Sequence, residues 1–235
     1  MYTKLISASL LVLFLFTSCL DTSHRSGSGS AIGVVRYNQE TGKKLIYTNV
    51  GVLYSTTIET ACKDSDCVVF AYAYDYGIPE NANSTQTGYL FVSVGQKPVV
   101  VDKADVFFEG TDTTILFPGE ISLLNPVTQT DNPLCFNYVA GHLFLSSTFT
   151  GSEKQEIRWQ LFCDTIQTPY KENGEEVYTL YLRALNLDPE EEGNDSVSSL
   201  NAYYLGDFSH PFRIAYLSAI DDAWQPTWLF SPVIH

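Results

Sequence analysis

The sequence predicts an all-β protein, built as a small closed barrel followed by a β-sandwich. Short segments in which apolar and polar residues alternate recur along the chain, and turn residues separate them. No long segment keeps the 3.6-residue apolar spacing of an amphipathic helix, so any helix should be short. A stretch rich in prolines and turn residues interrupts the alternation near the middle. These observations indicate two β-rich domains joined by a connector.

The barrel domain is predicted over residues 31–110. A hairpin is expected where Gly33–Asn38 and Lys43–Asn49 flank the turn QETG. The segment CVVFAYAYDYG puts large side chains on one face and small ones on the other, which suits a curved sheet. Closing a barrel removes the exposed edges of the about five or six short strands expected here. The large side chains are those of Phe70, Tyr72, Tyr74 and Tyr76.

The connector is predicted over residues 111–130, with one strand at TILF, and the sandwich over residues 131–235. Alternation with one polar face predicts sheets that are covered on one side only. The turn GSEKQ is expected to join the strands before and after it as a hairpin, and Asn173-Gly174 is expected to form a second hairpin turn. The residues predicted to face the core are Leu143, Leu145, Phe149, Ile157, Trp159, Leu161, Phe212, Ile214 and Tyr216.

The N-terminal residues 1–18 predict a lipoprotein signal peptide. The apolar run Leu5–Phe16 is shorter than the about 20 residues of a membrane-spanning helix, but it has the length of a signal-peptide core. The sequence Phe16-Thr17-Ser18-Cys19 resembles a bacterial lipobox, in which the cysteine thiol takes a diacylglycerol and becomes the new N-terminus. We therefore expect acylation at Cys19, including palmitate. The alternative is a plain signal peptide with an incidental cysteine.

Residues 19–30 predict a lipidated, flexible tether because they are rich in Gly and Ser. No later apolar run is long enough to span a bilayer, so the membrane is expected to be a partner through the N-terminal lipid only. Leu20 follows the cysteine at a position where Asp would indicate retention in the inner membrane. The predicted location is therefore the cell envelope, at the outer membrane, with the periplasmic or surface face left open.

The charge balance argues against a nucleic-acid partner. The chain has 13 Lys and Arg residues against 27 Asp and Glu residues, and its formal net charge is −14. A nucleic-acid binder needs a basic track that replaces the counterions of the phosphates. No basic cluster occurs in the sequence.

Four cysteines remain once Cys19 is acylated, and an even number in an exported protein permits disulfides. Three connectivities are possible for four cysteines. We favour the two local pairs, of which one would close the loop CKDSDC and the other would link two segments of the later half. A metal site is not expected, because no histidine lies near a paired cysteine motif. The disulfide candidates are Cys62 with Cys67 and Cys135 with Cys163.

Three stretches resemble the NigD-like lipoproteins, of which this chain looks like a divergent member. VAGHLFLSSTFTG is similar to a family strand preceded by a small-residue turn, and GEEVYTLYLRALNLDPEEEG to a long strand that ends in a Leu-Arg segment. CKDSDCVVFAYAYDY looks like the polar turn that leads into a barrel strand. The resemblance implies a lipobox, an OB-type barrel and a C-terminal β-sandwich. It also implies a genetic association with bacteriocins, and it brings no catalytic residue.

No catalytic constellation or cofactor motif is predicted. The folded part contains no Gly-x-Ser-x-Gly elbow, and His142 and His210 fit structural positions. Binding is the better hypothesis, since exposed aromatic rings can stack on sugars. The candidates are the tyrosine row Tyr72, Tyr74 and Tyr76 and the pair Trp224 and Trp228, although both sets also fit the core.

The sequence thus predicts a non-enzymatic, lipid-anchored envelope protein with a binding or shielding role. Its partner would be another protein, and bacteriocin immunity would be a special case. The alternative is a surface lipoprotein that binds glycans and helps to capture polysaccharide.

Overall fold

The computed structural model describes residues 26–125, 136–164, 169–172, 174–188, 190–191, 193–226 and 229–230. The signal peptide, Cys19, Cys135 and Trp228 lie outside these ranges. The described chain is mostly β, as predicted, and its helices are short. The elements are β1 Ser26–Asn38, β2 Lys43–Thr48, β3 Gly51–Tyr54, α1 Thr56–Ala61, β4 Cys67–Asp75, a 3-10 helix Pro79–Asn81, α2 Ser84–Thr87, β5 Leu90–Phe91, β6 Val99–Phe107, β7 Leu123–Asn125, β8 Phe136–Val139, β9 His142–Gly151, β10 Ile157–Cys163, β11 Tyr170–Glu172, β12 Glu175–Asn186, β13 Asp195–Tyr204, β14 Phe212–Leu217 and β15 Trp224–Pro226.

Strands β1 to β5 form the predicted barrel. The sheet runs in the order β4-β1-β2-β3-β5, and a bridge between Ala73 of β4 and Ser93, just after β5, closes it. Strands β1 and β2 form the expected hairpin, and Gly42 in its turn has a φ of 66°. Ile58 of α1 packs inside the barrel. The other fully enclosed members of this core are Ala31, Val35, Ile46, Leu53, Cys62, Val68, Phe70, Val92 and Val94.

Strand β1 begins earlier than the predicted tether allows. Ser26 to Ser30 were expected to be flexible, but they continue β1 and pair with β4. The two glycines here lie directly opposite tyrosines of β4, Gly29 facing Tyr72 and Gly27 facing Tyr74. The hydroxyl of Tyr74 lies only 2.7 Å from where a Cβ on Gly27 would be. Glycine fits here because the tyrosine rings occupy the space above the strand, and a side chain at either position would require a ring to shift.

The second half is a sandwich of two sheets. One sheet contains β7, β8, β9 and β13, and the other contains β10, β12, β14 and β15. The core-facing residues predicted from the alternation either belong to the buried cluster between the sheets or pack against it. The predicted hairpin across GSEKQ is wrong, because β9 pairs with β13 whereas β10 pairs with β12. The turn instead carries the chain from one sheet to the other.

Strand β6 joins the barrel to both sheets of the sandwich. It pairs first with β4, then in parallel with β13, and finally in parallel with β10. A buried cluster lies where the barrel meets the sheet of β9 and β13. Its members are Ile32, Val34, Cys67 and Val101 from the barrel side and Val139, Phe144 and Ala202 from the sandwich side. The two halves therefore share a strand and a core.

The predicted connector contains no strand at TILF within the described residues. The segment from Phe108 to Ile121 instead lies as a loop on the outer face of the second sheet. Arg183 of β12, only 1% exposed, holds it through an ion pair with Glu120, with 2.5 Å between Nη1 and Oε2. The same guanidinium donates to the hydroxyl of Thr111 at 3.0 Å and to the carbonyl oxygen of Asp112 at 2.6 Å.

No helix among the described residues has the length and apolarity needed to cross a bilayer.

Candidate binding groove

A groove of about 670 Å³ opens where β6 passes from one sandwich sheet to the other. Asn201–Tyr203 of β13 pair with β6 first, and Gln160–Phe162 of β10 pair with its next residues. Because β10 and β13 each contact β6 over only three residues, the earlier parts of both strands diverge. The groove is the wedge between them, and Asp102 to Asp105 of β6 form its apex.

Both walls of the groove are strand edges without a neighbouring strand among the described residues. Ile157–Trp159 of β10 pair with β12 on one side, but β6 does not reach their other side. Asp195–Leu200 of β13 pair with β9 in the same one-sided way. Such an edge presents backbone N–H and C=O groups that a further strand can bind.

One hydrogen bond shows which residues of β13 direct their backbone N–H and C=O groups toward the open side. Leu205 donates its N–H to the carbonyl oxygen of Gly141 at 2.8 Å, across the ladder that joins β13 to β9. Residues of an antiparallel strand alternate in directing both backbone groups toward or away from the partner. Ser196 and Ser198 therefore direct their N–H and C=O groups away from β9 and toward the open side.

The lining of the groove is mainly polar. Hydroxyl and amide side chains come from the β13 wall and from the turn at residues 152–155. The buried rings of Phe149 and Trp159 form the floor, with their centroids 6.2 Å apart. Carboxylates outnumber cations among the charged lining residues. The carboxylates are Asp102, Asp105 and Glu153, the cations are Lys103 and Arg158, and all five side chains are exposed.

The tyrosine row on and after β4 does not line this groove. Tyr72 and Tyr74 are partly buried against the barrel core, and their rings stack at 6.3 Å. Tyr76 is 51% exposed and contacts Tyr74 edge to face at 5.3 Å. The first two rings cover the glycines of β1, so they have a structural role. A ligand-binding role for this row stays a prediction.

Trp224 is half-buried beside the loop after β6. Its Nε1–H donates to the carbonyl oxygen of Thr113 at 3.0 Å. Its ring also lies 4.9 Å from the guanidinium carbon of Arg183. Trp224 therefore helps to hold the loop, and the predicted platform with Trp228 involves a residue outside the described ranges.

The predicted disulfide between Cys62 and Cys67 is not formed. Both thiols are free and buried, and they belong to different cores. Cys62 follows α1 and packs inside the barrel, whereas Cys67 opens β4 and points to the interface with the sandwich. Burial raises the pKa of Cys67 to about 11, which keeps the thiol protonated and unreactive.

Cys163 is also free in the structure and packs in the sandwich core. Burial raises the pKa of its thiol to about 12. Its predicted partner Cys135 lies outside the described residues, so this pairing stays a prediction. Among the residues that the structure describes, no three His, Cys, Asp or Glu side chains are grouped as metal ligands.

None of the groove residues was predicted as a site residue. Little in the sequence indicated the groove. The segment DSVSSL has few apolar residues for a sandwich strand and resembles the polar end of the acidic loop that precedes it. The wedge depends on β6 crossing between two sheets, and its partners are distant in sequence. Local alternation cannot reveal such a crossing.

Residues 23–98 match the model of the family described as Lipoprotein OB domain. This match agrees with the OB-type barrel found here and with the predicted resemblance to lipoproteins of this kind. No curated protein sequence matches the chain.

Two solved structures with TM-scores above 0.5 share this fold over most of the chain. An uncharacterised protein from Parabacteroides merdae is 22% identical, with a TM-score of 0.67 over 86% of this chain and 98% of that one. A candidate lipoprotein from Bacteroides fragilis is 13% identical, with a TM-score of 0.58 over 87% of this chain and 96% of that one. A NigD-like immunity protein from Bacteroides caccae is 8% identical over 88% and 97%, with a TM-score of 0.49. These similarities concern the fold alone.

Proposed function

We propose that this protein is a lipid-anchored component of the bacterial cell envelope that acts by binding a partner rather than by catalysis. The acyl chains would be carried by Cys19, which lies seven residues before Ser26, the first residue of β1. The groove between β10 and β13 would be the binding site. The observation that carries the anchoring is the match of residues 23–98 to a lipoprotein OB domain, directly behind a lipobox-like sequence.

The binding role is supported by the chemistry of the groove. The groove offers hydroxyl, amide, carboxylate and guanidinium groups, and its two strand edges have no neighbouring strand among the described residues. None of the described residues that line the groove is a histidine. The buried thiols have raised pKa values and are poor nucleophiles. A binding function uses the polar groups that the groove presents.

The anchoring is tested by labelling cells that express the protein with an alkyne analogue of palmitate. The wild-type chain should incorporate the label and sediment with the outer-membrane fraction. Cys19→Ala should lose the label and leave the membrane. Cys163→Ala is the matched control, because it removes a buried cysteine and should keep the label. Equal labelling of wild type and Cys19→Ala would refute the anchor.

Two kinds of partner fit a polar groove, namely a protein segment and a glycan. The protein partner includes the shielding role, with bacteriocin immunity as its special case. A glycan would use the hydroxyl and carboxylate groups of the groove, but the rings of Phe149 and Trp159 in its floor are buried and offer no exposed face for stacking. The protein partner is therefore our first candidate and the glycan the second.

A further inference from the structure

We propose that the groove binds an extended peptide with basic residues, which adds as a strand to the open edge of β13. The proposal rests on the binding role proposed above and names its ligand class. The open edge spans Asp195 to Leu200, about 16–17 Å at the usual rise of a strand. That length matches a peptide segment of about five residues.

The backbone of β13 supplies the hydrogen-bonding groups for such a strand. Ser196 and Ser198 present both N–H and C=O groups on the open side, as the phase of the ladder shows. A peptide backbone repeats donors and acceptors at the same spacing, so it can bind both residues in register. A glycan has no such repeat, because its hydroxyl groups are not arranged as a β-ladder.

The space beside the edge is suited to a strand. The facing wall, Ile157 to Trp159, is itself a strand edge with which no other described strand pairs, and β6 closes the groove at its apex. In a sheet, neighbouring strands lie about 4.8 Å apart. A strand that pairs with β13 would therefore continue the sheet of β9 and β13, and its side chains would alternate between the floor and the mouth of the groove.

The charges in the groove favour a basic peptide. The exposed carboxylates of Asp102, Asp105 and Glu153 outnumber the two cations that line the groove. The formal net charge of the chain, −14, adds a long-range attraction for a cationic segment. Lys or Arg residues of the peptide would face the carboxylates at the apex, while small or apolar residues would face the floor.

A selection from a pool of random decapeptides tests the proposal on the mature lipidated protein in detergent micelles. The selected peptides should be enriched in Lys and Arg, and their affinity should fall with added salt. A selection that enriches no peptide, or only acidic ones, would overturn the proposal. The same preparation is checked for its acyl chains by mass, so a failure of peptide binding is distinguished from a failure of anchoring.

Ser198→Pro is the decisive variant, with Ser198→Ala as its matched control. Both changes remove the hydrogen bond between the hydroxyls of Ser198 and Thr148, which measures 2.8 Å. Only proline removes the N–H that points into the groove, and it leaves the ladder to β9 intact because that N–H does not take part in it. We expect Ser198→Pro to weaken a selected peptide about tenfold, and Ser198→Ala less than about twofold.

A second measurement covers the case in which Ser198→Pro fails to fold, as judged by circular dichroism. The selected peptide is synthesised with N-methyl groups at alternate residues, in each of the two phases. One phase should abolish binding and the other should retain it, because only one edge of the peptide faces β13. Equal binding by both methylated peptides would contradict strand addition.

Discussion

Arg183 shows how one residue can hold a segment that has no secondary structure of its own. Its guanidinium is fully buried and lies between the rings of Phe117, at 4.1 Å, and Trp224. The carboxylate of Glu120 compensates its charge, and that carboxylate also accepts the N–H of Phe117 at 2.8 Å. A buried ion pair of this kind stabilises only while both partners are present.

Glu120→Gln should therefore be strongly destabilising. It leaves the buried guanidinium without a counter-charge, and we expect a loss of about 3–5 kcal/mol in the free energy of unfolding. Urea unfolding followed by tryptophan fluorescence measures this loss. Glu172→Gln is the control, because its ion pair with Arg213 is partly exposed and should be worth less than about 1 kcal/mol. Similar losses in the two variants would show that the Arg183 pair does not hold the loop.

This residue-scale role was not predictable from the sequence. Arg183 lies in a segment that was predicted to be a long strand, but a charged side chain on the outer face of a strand normally points to water. Its partner Glu120 is 63 positions away, in a segment predicted to be a connector. The predicted disulfide between Cys62 and Cys67 was wrong for a similar reason. Their spacing indicated a short loop, but the structure places their side chains in two separate cores.

At the scale of elements, β1 depends on glycine where its neighbour approaches closely. A Cβ on Gly33 would collide with the carbonyl oxygen of Tyr47, which is backbone and cannot turn aside. The methyl group of Thr48 also lies 2.8 Å from that position. The hairpin of β1 and β2 therefore leaves no room for a side chain at residue 33.

Gly33→Ala should lower the free energy of unfolding by about 1–3 kcal/mol, because the hairpin must shift to admit the methyl group. Gly95→Ala is the control, since nothing lies within 4 Å of its Cβ position. The two variants and the wild type are compared by their midpoints in urea. A midpoint for Gly33→Ala equal to that of Gly95→Ala would mean that the backbone at residue 33 is less crowded than described.

Most strands were predictable as elements, and the errors have physical causes. The alternation placed β4, β9, β10 and β14 on their correct faces, because period two is a local property. The hairpin across GSEKQ was wrong because a short turn can lead to another sheet as easily as to a neighbouring strand. Ser26–Ser30 looked flexible because Gly and Ser disfavour strands, yet the rings of Tyr72 and Tyr74 cover them.

At the scale of the whole molecule, His142 links stability to pH. It is 5% exposed beside the interface of the two halves, and its ring packs on Tyr204 at 4.9 Å. Burial lowers its pKa, the nearby charges of Arg36 and Lys103 lower it further, and only the carbonyl oxygen of Ala140 opposes this. The folded protein therefore binds a proton here less readily than the unfolded chain.

Acidification should thus destabilise the protein. Because the pKa of His142 is lower in the folded state, the unfolded state binds the extra proton as the pH falls through the ordinary histidine value near 6.5. The slope contributed by one group is at most about 1.4 kcal/mol per pH unit. We expect His142→Gln to reduce the decline in unfolding free energy between about pH 7 and 5. An identical decline of the unfolding free energy in the wild type and in His142→Gln would show that His142 does not link stability to pH.

The domain types were predictable, but their connection was not. A barrel followed by a sandwich follows from alternation and turn residues together with the family resemblance. The crossing of β6 between three ladders depends on contacts such as Gln160 with Asp105 and Asn201 with Asp102, which are far apart in sequence. The groove exists only because of this crossing, so no local pattern could indicate it.

The position of β6 also bears on how the chain can be divided. The segment that matches the lipoprotein OB domain ends at residue 98, immediately before β6 begins at Val99. A fragment cut there would lose the strand that flanks β4, and it would leave the apolar side chains of Ile32 and Val34 without the surface that covers them. We therefore expect the barrel and the sandwich to fold as a unit, even though their amino-acid patterns look like those of separable modules.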